Sequence, residues 1–427
     1  MSSSGAARRA GWAVGDQALS SGTNFLLALA VARTTGAAGF GAFSLAFGAY
    51  LVALAVSRAV SSEPLTIRYS ARETAEWREG TSRAIGSALV VGALTGLGCV
   101  ALGIVVGGAV GPALVVLGIG LPGLLVQDAW RFAFFAARRG GAAFANDLAW
   151  TLALAVALGA VIAAGSSDIE VLVLGWASGG LAGAIVGVIQ SRVLPRPLGA
   201  SAWWREHRDI APRLAVEGLI LSGTQQATMV GIAGVANLAV VGALRAGQVL
   251  MNALHIITYG MPLFAVPEAV HLRRRSPAAL MRFCLLVGGG LALLAVAWGV
   301  VLLLLPDQVG RALLGSTWPA AREVLPAVTV AAAAGGAQAG ALVGLRALAS
   351  AKRSLAARLA SSTLVFVGGV GGAMLAGAVG AAWGMAAGVS FGTLLFWLQL
   401  VRGAQADARS SVERLPTEAA VLEGATE

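Results

Sequence analysis

Apolar stretches of about 20 residues recur along the whole chain, the length that crosses roughly 30 Å of hydrocarbon at about 1.5 Å per residue. They fall near 13–33, 38–60, 83–108, 112–136, 142–165 and 170–193. After a polar break they resume near 213–235, 238–262, 280–306, 323–345, 356–376 and 378–401. Inside a bilayer every backbone polar group must be satisfied within its own segment, so runs of this length fold as helices. Composition agrees: of 427 residues 57% are hydrophobic and 12% charged, against about 25% charged in soluble domains. The expected fold is an all-α integral membrane protein of about twelve transmembrane helices. A nucleic-acid-binding domain and most hydrolytic chemistry are thereby excluded.

The charges sort by side. The net charge is +10 and almost every cation is arginine, Lys352 being the exception. One set of connections is basic, carrying Arg68, Arg72, Arg78 and Arg83, then Arg138-Arg139, Arg192 to Arg213, Arg273-Arg274-Arg275 and Arg346 to Arg358. Arg8, Arg9 and the tail residues Arg402, Arg409 and Arg414 join them. Arg33, Arg311 and Arg322 fall on the opposite side, and Arg58, Arg131 and Arg245 lie within spans. Positive charge collects on the cytoplasmic side, so both termini are expected there, in a multi-pass protein of the plasma membrane. The basic N-terminus before an apolar run resembles a signal peptide, but Asp16, Gln17 and Asn24 interrupt the run, and an uncleaved first helix is expected.

The break at Leu194 to Ala211 halves the chain. It holds Pro195, Pro197, Trp203-Trp204 and Arg205-Glu206-His207-Arg208. Residues 1–194 are expected to form one six-helix lobe and 213–402 a second, joined by an amphipathic linker over 195–212 at the cytoplasmic interface. Residues 403–427 turn acidic and are expected to be a disordered tail. The halves repeat: Ser21-Gly22-Thr23-Asn24 recurs as Ser222-Gly223-Thr224-Gln225. The same offset puts Asp16 on Glu217, Ala32 on Ala233 and Gly41-Ala42 on Gly242-Ala243. Six helices per half keep both halves in one orientation, so a pseudo-two-fold along the membrane normal and a central cleft are expected.

Ionisable groups at the centre of a membrane helix cost about 2.5–3.5 kcal/mol each, and so face a partner or a wet cavity. At about 100° per residue, Asp16, Ser20, Thr23 and Asn24 share one stripe of the first helix. Glu217, Thr224, Gln225 and Thr228 do so on the seventh, and Arg245, Gln248, Asn252 and His255 on the eighth. Three polar stripes in apolar cylinders predict a hydrated cavity lined by Arg245, Gln248, Asn252, His255, Asn24, Thr224 and Gln225. The plainer reading is that single Asn and Thr side chains are glue between helices. Asp16, Glu217, Arg33 and Arg58 are candidates for gating or ion coupling. Asp128 and Arg131, three residues apart, are expected to form a local structural ion pair. No nucleophile–base spacing, P-loop signature or extramembrane domain points to an enzyme. Cys99 and Cys284 read as packing residues, and neither they nor His207, His255 and His271 show metal spacing.

The run from Asp16 to Phe25, then Ala32-Arg33, then Gly39-Phe40-Gly41-Ala42-Phe43-Ser44, resembles the opening of polysaccharide-export flippases. These are the O-antigen and teichoic-acid type of the multidrug/oligosaccharidyl-lipid/polysaccharide exporter superfamily. Leu313-Leu314-Gly315, Trp318 and Leu325-Pro326 are similar to that family's second half. The clear likeness covers about 60 residues, with twelve spans in two lobes agreeing across the rest. It implies alternating-access translocation of a polyprenyl-pyrophosphate-linked oligosaccharide for cell-surface polysaccharide biosynthesis. The implied partners are that lipid, the surrounding membrane lipids, and glycosyltransferases and a polymerase of the same pathway, with no cofactor and no nucleic acid. Arg245, with Arg33 or Arg58, would then meet the pyrophosphate.

Two other classes stay open: an ion-coupled multidrug exporter of the same fold, and a non-transporting envelope scaffold. An acid deep in the cavity would favour the exporter, whereas Arg245 is the deepest charge on this reading. A scaffold needs no polar stripes. A major-facilitator protein is disfavoured, because Ser61 to Gly80 lacks the Gly-Asp-Arg-Gly-Arg type of loop.

Overall fold

The computed structural model describes residues 3–70 and 74–423; the side chains of 1–10, 13, 221, 253, 255–260, 262–264, 274 and 408–427 lie outside the described set. Among the described residues there is helix and turn and no strand. The helices are α1 (Ser3–Ser57), α2 (Glu63–Tyr69), α3 (Thr74–Val106), α4 (Val110–Ala136), α5 (Gly140–Ala163), α6 (Ile169–Ser191) and α7 (Ala200–Glu206). They continue as α8 (Ala211–Val235), α9 (Leu238–Met251), α10 (His255–Arg275), α11 (Pro277–Leu303), α12 (Asp307–Leu314), α13 (Trp318–Ala347) and α14 (Ala351–Glu423). α1 is broken at Gly36 and α14 at Ala376-Gly377. Among the described residues eight helical stretches are long and apolar enough to cross a membrane. Taking the two broken helices as two arms each, with α8 and α9–α10 added, about twelve passes result. The chain is a multi-pass membrane protein.

The Gly36 break follows from the sequence. Its φ of 69° is left-handed, where only glycine sits without steric cost. The carbonyls freed at the end of the first arm are met from α12 and the turn after it. Thr317 donates to the Ala32 carbonyl at 2.7 Å. Gly315, itself at φ 58°, passes so close that a Cβ would stand 2.5 Å from the Arg33 carbonyl. Ala32-Arg33 of the first motif segment and Gly315 of the second are therefore packed together within the first unit.

Two compact units result: residues 1–249 with 307–321, and 250–306 with 322–427. In the first, α3 and α4 form a hairpin closed by small residues. Gly96 lies against Gly118 and Gly103 against Gly111, each Cβ position falling 2.3–2.7 Å from the opposing carbonyl. Without a hydrophobic drive between helices in lipid, such approach of backbones supplies the packing. The second unit repeats the device: Gly372 meets Gly380 and Gly368 meets Gly384 across the break in α14. Its core is built of Leu280, Cys284, Leu291, Phe396 and Leu400. At its arginine-rich end Arg273 forks onto Asp407 and caps the Ala347 carbonyl.

Within the first unit the internal repeat appears as packing. A Cβ on Gly41 would stand 1.9 Å from the Leu238 carbonyl, and one on Gly242 would stand 1.8 Å from that of Ala37. The offset that relates Gly41 to Gly242 also relates Ala37 to Leu238. Both contacts are thus one contact applied twice, as a local two-fold axis requires. The offset also carries the Gly36 break onto the break between α8 and α9.

The segment joining α6 to α8 docks on the first unit. Trp203 is fully buried in the core with Leu65, Trp77, Trp130 and Phe134, and its indole donates to the Val60 carbonyl at 2.9 Å. Val60 belongs to a π-helical turn, Arg58–Ser62. Trp204 donates to Ser87 at 2.6 Å. Outside the core, Arg83 and Tyr69 reach Glu206, and Arg68 reaches Asp209. His207 lies under Trp203, ring to ring at 4.0 Å, and burial pushes its pKa below the usual histidine value. Trp203 thus faces protein rather than the interfacial lipid that the amphipathic pattern suggested.

Candidate functional site

Two polar clusters stand inside the apolar body of the first unit. The larger joins α1, α4 and α5. On α4, Gln127 and Arg131 are four residues apart and share a face, while Asp128 is turned about 100° away. Arg131 donates through Nε to Asp16 of α1 at 2.5 Å, and stands 3.5 Å from an oxygen of Asp147 on α5. Its Nη2 also reaches Gln17 at 3.1 Å. Gln127 donates to the other oxygen of Asp147 at 2.8 Å, and Asn146 donates to the Gly183 carbonyl at 2.8 Å. Further along the same interface Thr23 and Thr151 share a hydrogen bond at 2.8 Å.

Asp16 and Asp147 are almost wholly buried, and one oxygen of each has no hydrogen-bond partner. Two carboxylates on one guanidinium carry a net negative charge, and orphaned buried acceptors are costly. Chemically, the arrangement can take up one proton: it would cancel the charge and turn an orphaned acceptor into a donor.

Asp128, facing the other way, accepts a two-pronged contact from Arg58 at 2.9 and 2.5 Å. The Arg58 guanidinium also lies over the Phe132 ring, 5.1 Å from its centre. Arg58 opens the π-helical turn, a local widening that redirects the side chains after it. The expected local pair between Asp128 and Arg131 is therefore corrected. Each takes a partner from another helix, because a forked contact across helices is stronger than an i, i+3 contact on one helix surface.

The second cluster lies between α8 and α9. Arg245 donates through Nη2 to the side-chain oxygen of Gln226 at 2.6 Å and through Nη1 to Gln248 at 3.3 Å. Its Nε is buried and has no acceptor. Among the described residues no carboxylate stands within ion-pair distance of it. Gln226 is buried with 7% exposed, and Gly48 of α1 abuts it, so that a Cβ there would lie 2.6 Å from the same amide oxygen.

The other sequence candidates distribute as follows. Asn24 and Thr224 are half-buried and hydrogen-bond to carbonyls of their own helices, Ser20 and Ile220. Gln225, Glu217 and Arg33 are exposed. Asn252 is exposed in the 3₁₀ turn beyond α9, within the other compact unit. The His255 side chain lies outside the described residues. Sequence reasoning passed over Gln226, Gln127, Asn146 and Asp147. Asp147 carried a signal, being an acid inside an apolar run; Gln226 carried none, because it falls opposite the stripe drawn through Gln225.

No protein-family model matches the sequence, and no curated relative matches it either. Solved structures do. An inward-facing multidrug-resistance MATE family transporter of the MOP superfamily superimposes with a TM-score of 0.72 at 12% identity, covering 92% of this chain and 96% of that one. The lipid II flippase MurJ in an inward closed conformation gives 0.62 at 11% identity, covering 91% and 89%. An outward-facing MATE transporter gives 0.55 at 11% identity, covering 92% and 94%. The fold is thus the one shared by MATE and MurJ transporters. At these identities the likeness is of fold.

Proposed function

We propose that this chain is a transporter of the multidrug/oligosaccharidyl-lipid/polysaccharide exporter superfamily. Within it, we assign a flippase that carries a polyprenyl-pyrophosphate-linked oligosaccharide across the plasma membrane by alternating access. The observation that carries the substrate class is Arg245: a half-buried guanidinium with amide neighbours, a buried Nε without acceptor, and no counter-ion among the described residues. A cation left uncompensated in an apolar body is costly, and an anionic headgroup is what would relieve it. The remaining assignments follow the sequence. They are six-helix lobes over 1–194 and 213–402, a linker at 195–212, cytoplasmic termini, and association with glycosyltransferases and a polymerase of one pathway. Asn24, Thr224, Gln225 and Gln248 of the first unit complete the lining in this reading.

A second reading has an observation of its own. The orphaned carboxylate oxygens of Asp16 and Asp147 suit uptake of a proton, as an ion-coupled multidrug exporter needs; the fold likeness supports both readings equally. Reconstitution separates them. In vesicles carrying a fluorescent polyprenyl-pyrophosphate glycan, the wild-type chain is expected to expose the glycan to externally added reductant. Arg245→Ala is expected to abolish this with folding intact. Proton-driven uptake of a cationic dye, without glycan movement, would instead support the exporter.

A further inference from the structure

Arg58, Arg273 and Arg245 use the same edge of the guanidinium, the Nε and Nη2 donors, in two different ways. Arg58 gives both to Asp128, at 2.9 and 2.5 Å. Arg273 gives both to Asp407, at 2.9 and 2.5 Å. In each case a carboxylate with two oxygens closes the fork. Arg245 gives Nη2 to Gln226 at 2.6 Å and leaves Nε with nothing. The reason is chemical: a carboxamide has one acceptor oxygen and no charge. Glutamate has the same size and shape and would close the fork and cancel the cation.

Gln226 is also held. Gly48 leaves no room behind its amide, since any Cβ would stand 2.6 Å from Oε1 and 3.3 Å from Cδ. The amide oxygen therefore lies between the Gly48 backbone and the guanidinium, which it meets with one donor left unsatisfied. The buried Nε donor of this half-buried cation loses solvation and gains nothing in return until an anionic oxygen arrives.

We propose that Gln226 is the positioning and specificity-determining residue of the anion site: its one amide oxygen, backed by Gly48, orients Arg245 together with Gln248 while leaving the charge and the Nε of the fork for a phosphate oxygen of the substrate. This rests on the reading above, in which Arg245 meets the pyrophosphate. Gln226 discriminates by what it withholds. It gives the cation an address without giving it a counter-charge.

The test uses the full chain in lipid nanodiscs and two probes of equal tail length, a polyprenyl pyrophosphate and the neutral polyprenol. Wild type is expected to prefer the pyrophosphate. Gln226→Glu, which preserves shape, is expected to lose that preference by about 10- to 100-fold, the size of a charged hydrogen bond, with polyprenol binding unchanged. Gln226→Ala and Gly48→Ala, which free or displace the amide, are expected to weaken pyrophosphate binding and raise KM in transport with kcat kept. A merely structural role would lower both probes together, and that outcome overturns the proposal, as does wild-type preference in Gln226→Glu. The Arg245→Ala arm separates the two levels. If it keeps pyrophosphate preference, the anionic-substrate reading itself fails; if it loses preference while Gln226→Glu keeps it, only the role of Gln226 fails.

Discussion

The two polar clusters of the first unit treat charge in opposite ways. Across α1, α4 and α5, Asp16, Asp128 and Asp147 meet Arg58 and Arg131, and each guanidinium has a carboxylate within 2.5 Å. Between α8 and α9, Arg245 has two amides and, among the described residues, no carboxylate. The first cluster is built of side chains that satisfy one another, with an excess of acceptors. The second is built around a cation held by neutral amides, with its Nε left without an acceptor. A membrane protein carries an uncompensated charge only where something else supplies the counterpart, so the lesson concerns where the stability cost is borne: inside the fold in one case, by the ligand in the other.

The largest consequence is in stability. Arg131→Met leaves Asp16 and Asp147 buried without their cation. Removing one member of a buried charge network costs about 3–5 kcal/mol, and thermal unfolding in detergent is expected to show a loss of that order. A variant as stable as wild type would mean that the two carboxylates do not depend on Arg131, and the contrast between the clusters would collapse.

A smaller loss is expected at the edge of the same cluster. Asp128→Asn keeps the shape but gives Arg58 one neutral acceptor in place of two charged oxygens. Arg58 has a third of its side chain exposed and rests on Phe132, so it can carry its charge toward solvent. A loss of about 1.5–3 kcal/mol is expected, the value of hydrogen bonds to charged groups, measured on the same unfolding scale. Equal losses for Asp128→Asn and Arg131→Met would show that burial does not grade the cluster.

How far this could be read beforehand differs along the chain. The break at Gly36 was legible, because the apolar runs near 13–33 and 38–60 leave it between them, and so was the offset linking Gly41 to Gly242. Both are features of chain direction. The partners of Arg131 were not legible. Spacing along one helix puts Asp128 within reach, but whether a closer carboxylate arrives from α1 or α5 depends on how helices rotate against one another, which glycine contacts such as Gly183 against Gln127 decide. Gln226 shows the same limit. Periodicity places a stripe on a helix that is assumed straight and single-faced, whereas α8 meets α1 on one side, at Gly48, and α9 on another. Of two adjacent amides the pattern selected Gln225, and the fold buries Gln226 against the cation.

The smallest change, and the one with the reversed sign, is expected at Arg245. If the guanidinium is held only by Gln226 and Gln248, its replacement by Met removes a desolvated charge and leaves two amides that can turn toward each other. Removing a partly desolvated cation that has no counter-ion among the described residues lifts a solvation cost rather than adding one. Arg245→Met is therefore expected to melt at or slightly above the wild-type temperature while losing pyrophosphate binding. Arg131→Met should do the reverse, falling in stability first. A functional cation is thus separated from a structural one by the two readouts moving in opposite directions. If Arg245→Met is strongly destabilised, the guanidinium is a structural member of the α8–α9 packing, and its bare Nε is a defect of that packing rather than a donor kept for a ligand.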